Sequence, residues 1–210
     1  MSDAHNMRSK RSRRLHSRLF RVWDQTLPAH LATQLRTCGR ITVFDGDIEK
    51  PLLGLNEKQI MILKQGVQHI IHSASSINLK ASLPKLVPCI IEATLTIAEM
   101  AQSFPLLERF VYISTAFANS HLHDVTGILK AEAREVVHPM RDGLLDLESA
   151  TDELDQVRKY GAIAEDHTRY FPFSYGYAKH LTERLLIGMF ESSPVCSAIK
   201  PKCTGMSKGY

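Results

Sequence analysis

The sequence predicts an α/β fold built on a parallel sheet, and three observations carry that prediction. Short apolar runs alternate with longer helical stretches, the order that crossover helices between parallel strands require. The centre of the clearest run, FVYI, is apolar without interruption, as in a strand covered on both faces. Small and polar residues gather where the runs end, at Asp45-Gly46-Asp47, His72-Ser73-Ala74-Ser75 and Ser114-Thr115. Open parallel sheets bind ligands beyond the carboxyl ends of their strands, so the fold expectation is also a site expectation.

From residue 41 the elements follow without an internal repeat or a low-complexity linker. ITVFDGDI reads as a strand whose β-branched and aromatic residues close on an Asp-Gly-Asp turn. NEKQIMILKQG has a helical pattern, and Gly66 stops it. VQHIIHSAS is a second strand running out into a small-residue loop. LPKLVPCIIEATLTIAEMAQSF is a long apolar helix whose start Pro84 and Pro88 set or bend. ERFVYISTAFA is a third strand. Between His121 and Arg169 the chain is polar, acidic and longer than a normal connection. An insertion is expected there, with LLDLESATDELDQVRKYG forming a helix of its own. A helix carrying Tyr175 and Lys179 comes next, and PVCSAIKP gives the last strand.

Length and composition narrow the class. A chain of 210 residues, 44% hydrophobic and 23% charged, is an ordinary globular domain large enough for a real core. No apolar run approaches the roughly 18 residues that a membrane-spanning helix needs. Cys38, Cys89, Cys196 and Cys203 form neither a CxxC pair nor a cluster. That argues against a disulfide frame or a metal site and for reduced thiols, so a cytoplasmic or cytosol-facing, membrane-associated location is expected. The charge is uneven. Residues 1–40 hold nine Lys/Arg against Asp3 and Asp24, a net +7, whereas the remainder holds seventeen basic and twenty acidic residues, a net −3. The basic character belongs to RSKRSRRLHSRLFR, and a uniformly basic nucleic-acid-binding domain is not expected. That segment reads as a solvated helix with Leu15, Leu19 and Val22 packing at helical spacing, as a nuclear-import or nucleic-acid patch, or as an organelle transit peptide.

The stretch FPFSYGYAKHLTERLL places Tyr175 four residues ahead of Lys179, on one face of a helix. A lysine ammonium beside a phenol favours the phenolate and draws its pKa below the usual value of about 10. Such a tyrosine can protonate a carbonyl oxygen while hydride reaches the carbon, with a neighbouring Ser/Thr hydroxyl holding that oxygen. Alone, the pair reads first as a surface lysine beside a half-buried tyrosine. Ser114-Thr115, at the end of an upstream strand, makes the combination specific. Tyr177 lies two residues from Lys179 and is expected to face elsewhere.

These segments resemble those of one family, the alcohol-forming fatty acyl-CoA reductases of the extended short-chain dehydrogenase/reductase type. FVYISTAFAN is similar to their strand bearing the catalytic hydroxyl, and VFDGDIEKPLLGL to their GDI-plus-leucine segment. HIIHSASSINL resembles their H-x-A-A loop, EVVHP a short segment of their insertion, and SYGYAKHLTERLL their Tyr-x-x-x-Lys helix. PVCSAIKPKCTG is similar to their V-x-I-V-R-P-S-x-x-G strand. The resemblance runs from Arg8 to Gly205 with the motifs in the family's order.

The resemblance implies a Rossmann-like, NAD(P)-binding domain over residues 41–210, with 1–40 a basic lead-in. It implies NADPH-dependent reduction of a long-chain acyl-CoA, through the aldehyde, to a primary alcohol. It also implies roles: Tyr175 as proton donor, Lys179 tuning it and holding the nicotinamide ribose, and Thr115 with Ser114 binding the carbonyl oxygen. Asp47 and Ile48 would flank the adenine, Ala74 and Ser75 would line the dinucleotide, and Arg8 or its neighbours would meet the 2′-phosphate. Simpler readings stand beside these. Asp47 also reads as a strand terminator, His72 as a satisfied strand-end histidine, Arg8 as a solvated cation, and Thr115 as a buried β-branched strand residue.

The chain departs from the family pattern at both ends. It has no TGxxGF turn to cradle a pyrophosphate, so the first strand, glycine turn, first helix and most of the second strand are expected to be missing. Their loss would expose the edges of neighbouring strands. Lys202 stands at a position that is normally small, and Ile90 aligns with one that is usually Asn. The expectation is therefore a fragment that keeps the catalytic residues without a full cofactor site and shows little activity. A carrier-protein thioester reductase domain and a catalytically inactive binding or regulatory remnant stand as alternatives.

Overall fold

The computed structural model describes residues 16–122, 136–140, 147–163, 170–190 and 196–199. Its frame is a parallel sheet of β1 (His69–His72), β2 (Arg109–Ile113) and β3 (Cys196–Ile199), in that order. The register sets Ile70 beside Phe110 and His72 beside Tyr112, so these four side chains share one face. That face is covered by α5 (Ala93–Gln102) and α7 (Ser174–Phe190). Their Ile97, Ala98, Ala101, Leu186 and Phe190 pack with Phe110 and Tyr112 in one apolar cluster. Each of the two helices connects one strand to the next, which is the strand–helix–strand order expected of the α/β class. Ile71 looks to the opposite face and is 70% exposed.

Local chemistry explains the helix ends. α3 (Glu57–Gly66) opens on a reciprocal cap: the Gln59 N–H donates to Asn56 Oδ1 at 3.1 Å, and the Asn56 N–H donates to Gln59 Oε1 at 3.0 Å. The long apolar helix is a composite of α4 (Leu83–Leu86), a π turn (Val87–Glu92) and α5. Pro84 sits in the first turn of α4, where its missing N–H costs nothing. Pro88 cannot donate to the carbonyl four residues back, and the helix widens until the Ala93 N–H reaches the Pro88 carbonyl.

One expected strand does not form. Residues 41–47 carry no regular secondary structure, although ITVFDGDI has strand-like composition. A strand is completed by its neighbour's N–H and C=O groups, and among the described residues β1 pairs with β2 alone. The segment instead closes on itself: the Asp47 N–H donates to the Leu53 carbonyl at 2.8 Å. The turn is completed by Leu52, Leu53 and Gly54, all with left-handed backbone at φ 50°, 58° and 66°.

The insertion contributes α6 (Leu147–Tyr160), whose Ala150, Leu154 and Val157 join the main core with Leu83, Leu86, Ile90, Tyr177 and Leu181. A buried ion pair, Arg184 Nη1 to Glu153 Oε1 at 2.9 Å, locks α6 to α7. Tyr177 donates to the same carboxylate at 2.5 Å. At the N-terminus, residues 16–26 form α1 and Ala29–Thr37 form α2. Ala32 is the one buried residue of α2. Leu19 is half-buried, but Val22 is 49% exposed and does not pack as its spacing predicts; Leu15 lies outside the described residues.

Gly176 is where α7 comes closest to the loop after β2. A Cβ there would lie 2.8 Å from the Phe117 carbonyl oxygen and 3.2 Å from the Phe171 ring. Backbone cannot yield as a side-chain tip can, so Gly176→Ala is expected to lower stability by about 1–3 kcal/mol. Gly66→Ala, which meets nothing within 4 Å, serves as the control and is expected to be neutral or slightly stabilising. Urea denaturation of the two variants distinguishes these outcomes.

Candidate active site

Ser114 and Thr115 follow β2 directly and are 5% and 9% exposed. Ala116–Leu122 then turns back as a 3-10 helix and packs against α7, with the Phe117 carbonyl above Gly176. This close approach brings the first turn of α7 to the end of β2. The Thr115 side chain acts on the Tyr175 phenol and favours its ionised form, while the Thr115 hydroxyl accepts from the Phe117 N–H at 3.3 Å. One turn further along α7, the Lys179 ammonium donates to the Ile113 carbonyl at 3.1 Å. It lies 4.6 Å from the centroid of the Tyr112 ring and 6.0 Å from that of Tyr175. The structure thus brings Thr115, Tyr175 and Lys179 together around the carboxyl end of β2, with Ser114 between the threonine and the lysine's carbonyl partner.

The electrostatics differ from the expectation at one point. Burial pushes the Tyr175 phenol above its ordinary pKa, and the Thr115 side chain offsets part of that shift. The phenol is not drawn down by Lys179, because the ammonium is turned toward the Ile113 carbonyl and the Tyr112 ring. Burial lowers Lys179 itself to about 8, with Glu183 and Cys89 acting in the opposite direction. Glu183 lies one helical turn beyond Lys179 and is equally buried.

A separate pocket of about 420 Å³ opens at the carboxyl side of β1. It is lined by Asp45, Gly46, Asp47, Ile48, Lys50, Gly54 and Ala74. Three of the residues expected at a cofactor, Asp47, Ile48 and Ala74, therefore share one cavity, of a size that suits a nucleoside. The Asp47 carboxyl is held below the usual range by the Glu49 N–H and then by Lys50. Ser75 is half-buried, and its hydroxyl donates to the Ser76 carbonyl at 3.3 Å. Arg8 and Lys202 lie outside the described residues. The described residues fit the two ends of a dinucleotide, a pocket at one and a buried lysine at the other; they contain no pair of glycines spaced to cradle the pyrophosphate between.

Several contributors were not singled out from sequence. Tyr112 supplies the ring beneath the ammonium, and Ile113 supplies only its carbonyl. Cys89, in the π turn, donates its thiol to the Lys85 and Leu86 carbonyls at 3.6 and 3.5 Å, and burial, then the Glu49 carboxylate, raises its pKa. The Tyr112 signal was readable, since alternation along FVYIS puts that ring on the helix-covered face. Cys89 had no such signal. Tyr177 faces away from the site, as its spacing predicts.

Residues 4–202 match the male sterility protein family, an NAD-binding family. The chain is 25% identical over 202 residues to CG8306 of Drosophila melanogaster, a protein named as a candidate fatty acyl-CoA reductase; the match covers 93% of this chain and 36% of that protein. It is 32% identical over 96 residues to mouse (Mus musculus) fatty acyl-CoA reductase 2, covering 41% of this chain and 19% of the relative. The chain thus spans about a third or less of the curated relatives it matches. Among solved structures, a thiolation-reductase di-domain of an archaeal non-ribosomal peptide synthetase superposes with a TM-score of 0.50 at 13% identity, over 87% of this chain and 31% of that one. At that identity the likeness concerns the fold alone.

His72 is buried at the end of β1, its Nε2 2.9 Å from Thr94 Oγ1 and its ring stacked on Tyr112. It is a satisfied strand-end histidine in this structure. Burial, then the Lys179 charge, lowers it from 6.5 to about 4. Between those values the unfolded chain binds the proton and the folded one does not, so stability is full above pH 6.5 and falls as the pH drops toward 4. The loss attributable to this ring is roughly 3 kcal/mol. In His72→Gln, which keeps a partner for Thr94, that portion of the pH dependence is expected to vanish in denaturation curves recorded across the same range.

Proposed function

The chain belongs to the male sterility protein family, and from that premise we propose that its site reduces the thioester of a long-chain acyl-CoA with NADPH, through the aldehyde, to the primary alcohol. The observation that carries this reading is the buried Lys179 ammonium, bonded to the Ile113 carbonyl at the end of β2 and 6.0 Å from the Tyr175 ring, beside the buried Ser114 and Thr115 hydroxyls. The names of the matched relatives favour coenzyme A over a carrier protein as the bearer of the acyl group.

In this reading NADPH, when bound, supplies hydride. Thr115 and Ser114 hold the carbonyl oxygen as negative charge develops on it, and they do so from rigid backbone next to a sheet. Tyr175 stays protonated through the neutral range because burial raises its pKa, so it has a proton to give to the oxygen of the aldehyde. Lys179 holds the nicotinamide ribose and steadies the charge of the phenol once the proton has left. Asp47, Ile48 and Ala74 enclose the adenine, Ser75 lines the path between the two ends, and Arg8 meets the 2′-phosphate that distinguishes NADPH from NADH.

The test is calorimetric titration with NADPH and NADH, followed by acyl-CoA-dependent oxidation of NADPH, with an acyl-carrier substrate as the alternative. NADPH is expected to bind more tightly than NADH. Lys179→Ala should weaken that binding by roughly tenfold or more, while Tyr175→Phe should leave it intact and cut oxidation by at least about 100-fold. Oxidation at the wild-type rate in Tyr175→Phe, or no binding of either nucleotide, would overturn the proposal. A second expectation follows from the lysine: NADPH affinity should fall as the pH rises through about 8, where the ammonium loses its proton. Affinity that stays constant from pH 7 to roughly 9 would remove Lys179 from the cofactor site.

A further inference from the structure

Helix α1 does not pack as its sequence pattern predicts, and what it leaves exposed has a definite chemistry. Its apolar side chains, Leu19, Phe20 and Trp23, are only half-buried. Val22 is 49% exposed and Leu31, on α2, 39%. Arg18 and Arg21 are exposed beside them, and Arg18 shares a helix face with Val22 at a spacing of four. The one acidic side chain of the helix, Asp24, is neutralised by Arg36, which also lies over the Phe20 ring and donates to the Phe20 carbonyl. Arg36 therefore braces the two helices as a hairpin and removes the only negative charge from α1. The sequence adds Lys10, Arg11, Arg13 and Arg14 directly ahead of the helix.

We propose that this N-terminal hairpin docks on an anionic lipid bilayer, with α1 lying in the headgroup region and Val22, Trp23 and Leu31 entering the acyl boundary. Three properties select that partner. The exposed surface mixes arginines with aliphatic and indole side chains, the composition of helices that lie in a membrane interface. Charge is complementary and uneven along the sequence: residues 1–40 carry a net +7 and the remainder −3, so an anionic surface attracts the N-terminal segment. No helix among the described residues is long and apolar enough to cross a membrane, so the contact is at the surface. A nucleic acid would satisfy the arginines, but it has no use for an exposed valine on the same helix face.

Trp23 is the single tryptophan of the chain and sits in the proposed contact, so its emission reports the event directly. The full chain is titrated with vesicles of phosphatidylcholine containing phosphatidylserine, and with vesicles of phosphatidylcholine alone. The expected result is co-sedimentation with the anionic vesicles and a blue shift of Trp23 emission, with binding weakened by roughly tenfold or more when salt is raised to about 0.5 M. Arg18→Glu with Arg21→Glu, and separately Val22→Asp, should each weaken binding by about tenfold or more while circular dichroism stays unchanged. Failure to co-sediment, or equal binding to both vesicle types, overturns the proposal. So does Val22→Asp binding as tightly as wild type, which would leave only a charge effect. Tighter binding to an RNA or DNA oligonucleotide than to vesicles, with Trp23 emission unmoved, assigns the surface to nucleic acid instead.

Discussion

The site depends on the enclosure of α7. From Tyr175 through Leu186 every residue of that helix is buried, polar and charged ones included. A helix in that position touches its neighbours on all sides, and any polar group it carries must find a partner there or destabilise the fold. The partners define the architecture. Arg184 and Tyr177 meet the Glu153 carboxylate of α6, His180 meets the His138 carbonyl, and Lys179 meets the Ile113 carbonyl at the end of β2. The insertion is therefore part of the support for the helix that carries Tyr175.

Burial is costly in a useful way at three side chains of this region. An ammonium taken out of water loses hydration that a single carbonyl and a ring face only partly replace, which is why Lys179 loses its proton so much more easily than a surface lysine. His72, close enough to feel that charge, stays neutral for the same reason. The Tyr175 phenol is shifted the other way, toward retaining its proton. Three titratable side chains within one small region are thus biased toward uncharged forms by exclusion of water, while Thr115 and Ser114 supply hydroxyls among them. A carbonyl oxygen entering this region would meet donors in a medium that strengthens each hydrogen bond it makes.

Much of this was legible from residue pattern. The alternation of apolar runs and helices located the three strands of the sheet and the helices between them, and the spacing of Tyr175 and Lys179 put both on one face. What was not legible has physical causes. The ITVFDGDI segment has the composition of a strand, but composition cannot supply the neighbouring backbone that a ladder requires. The partner of Lys179 is a main-chain carbonyl, and any residue at position 113 would present one. Val22 follows the spacing of a packed residue, yet spacing only describes a face and not what covers it. The direction of the Tyr175 shift depended on burial outweighing the Thr115 side chain and on the ammonium being turned toward the Ile113 carbonyl, neither of which letters contain.

The left-handed run at Leu52, Leu53 and Gly54 has a consequence for the pocket it borders. Two leucines held in that conformation each carry a steric penalty of about 1 kcal/mol, and they persist because the turn aims the Leu53 carbonyl at the Asp47 N–H. That same bond fastens Asp47 to the residue next to Gly54, so two linings of the pocket are joined through main chain and not through contact between side chains.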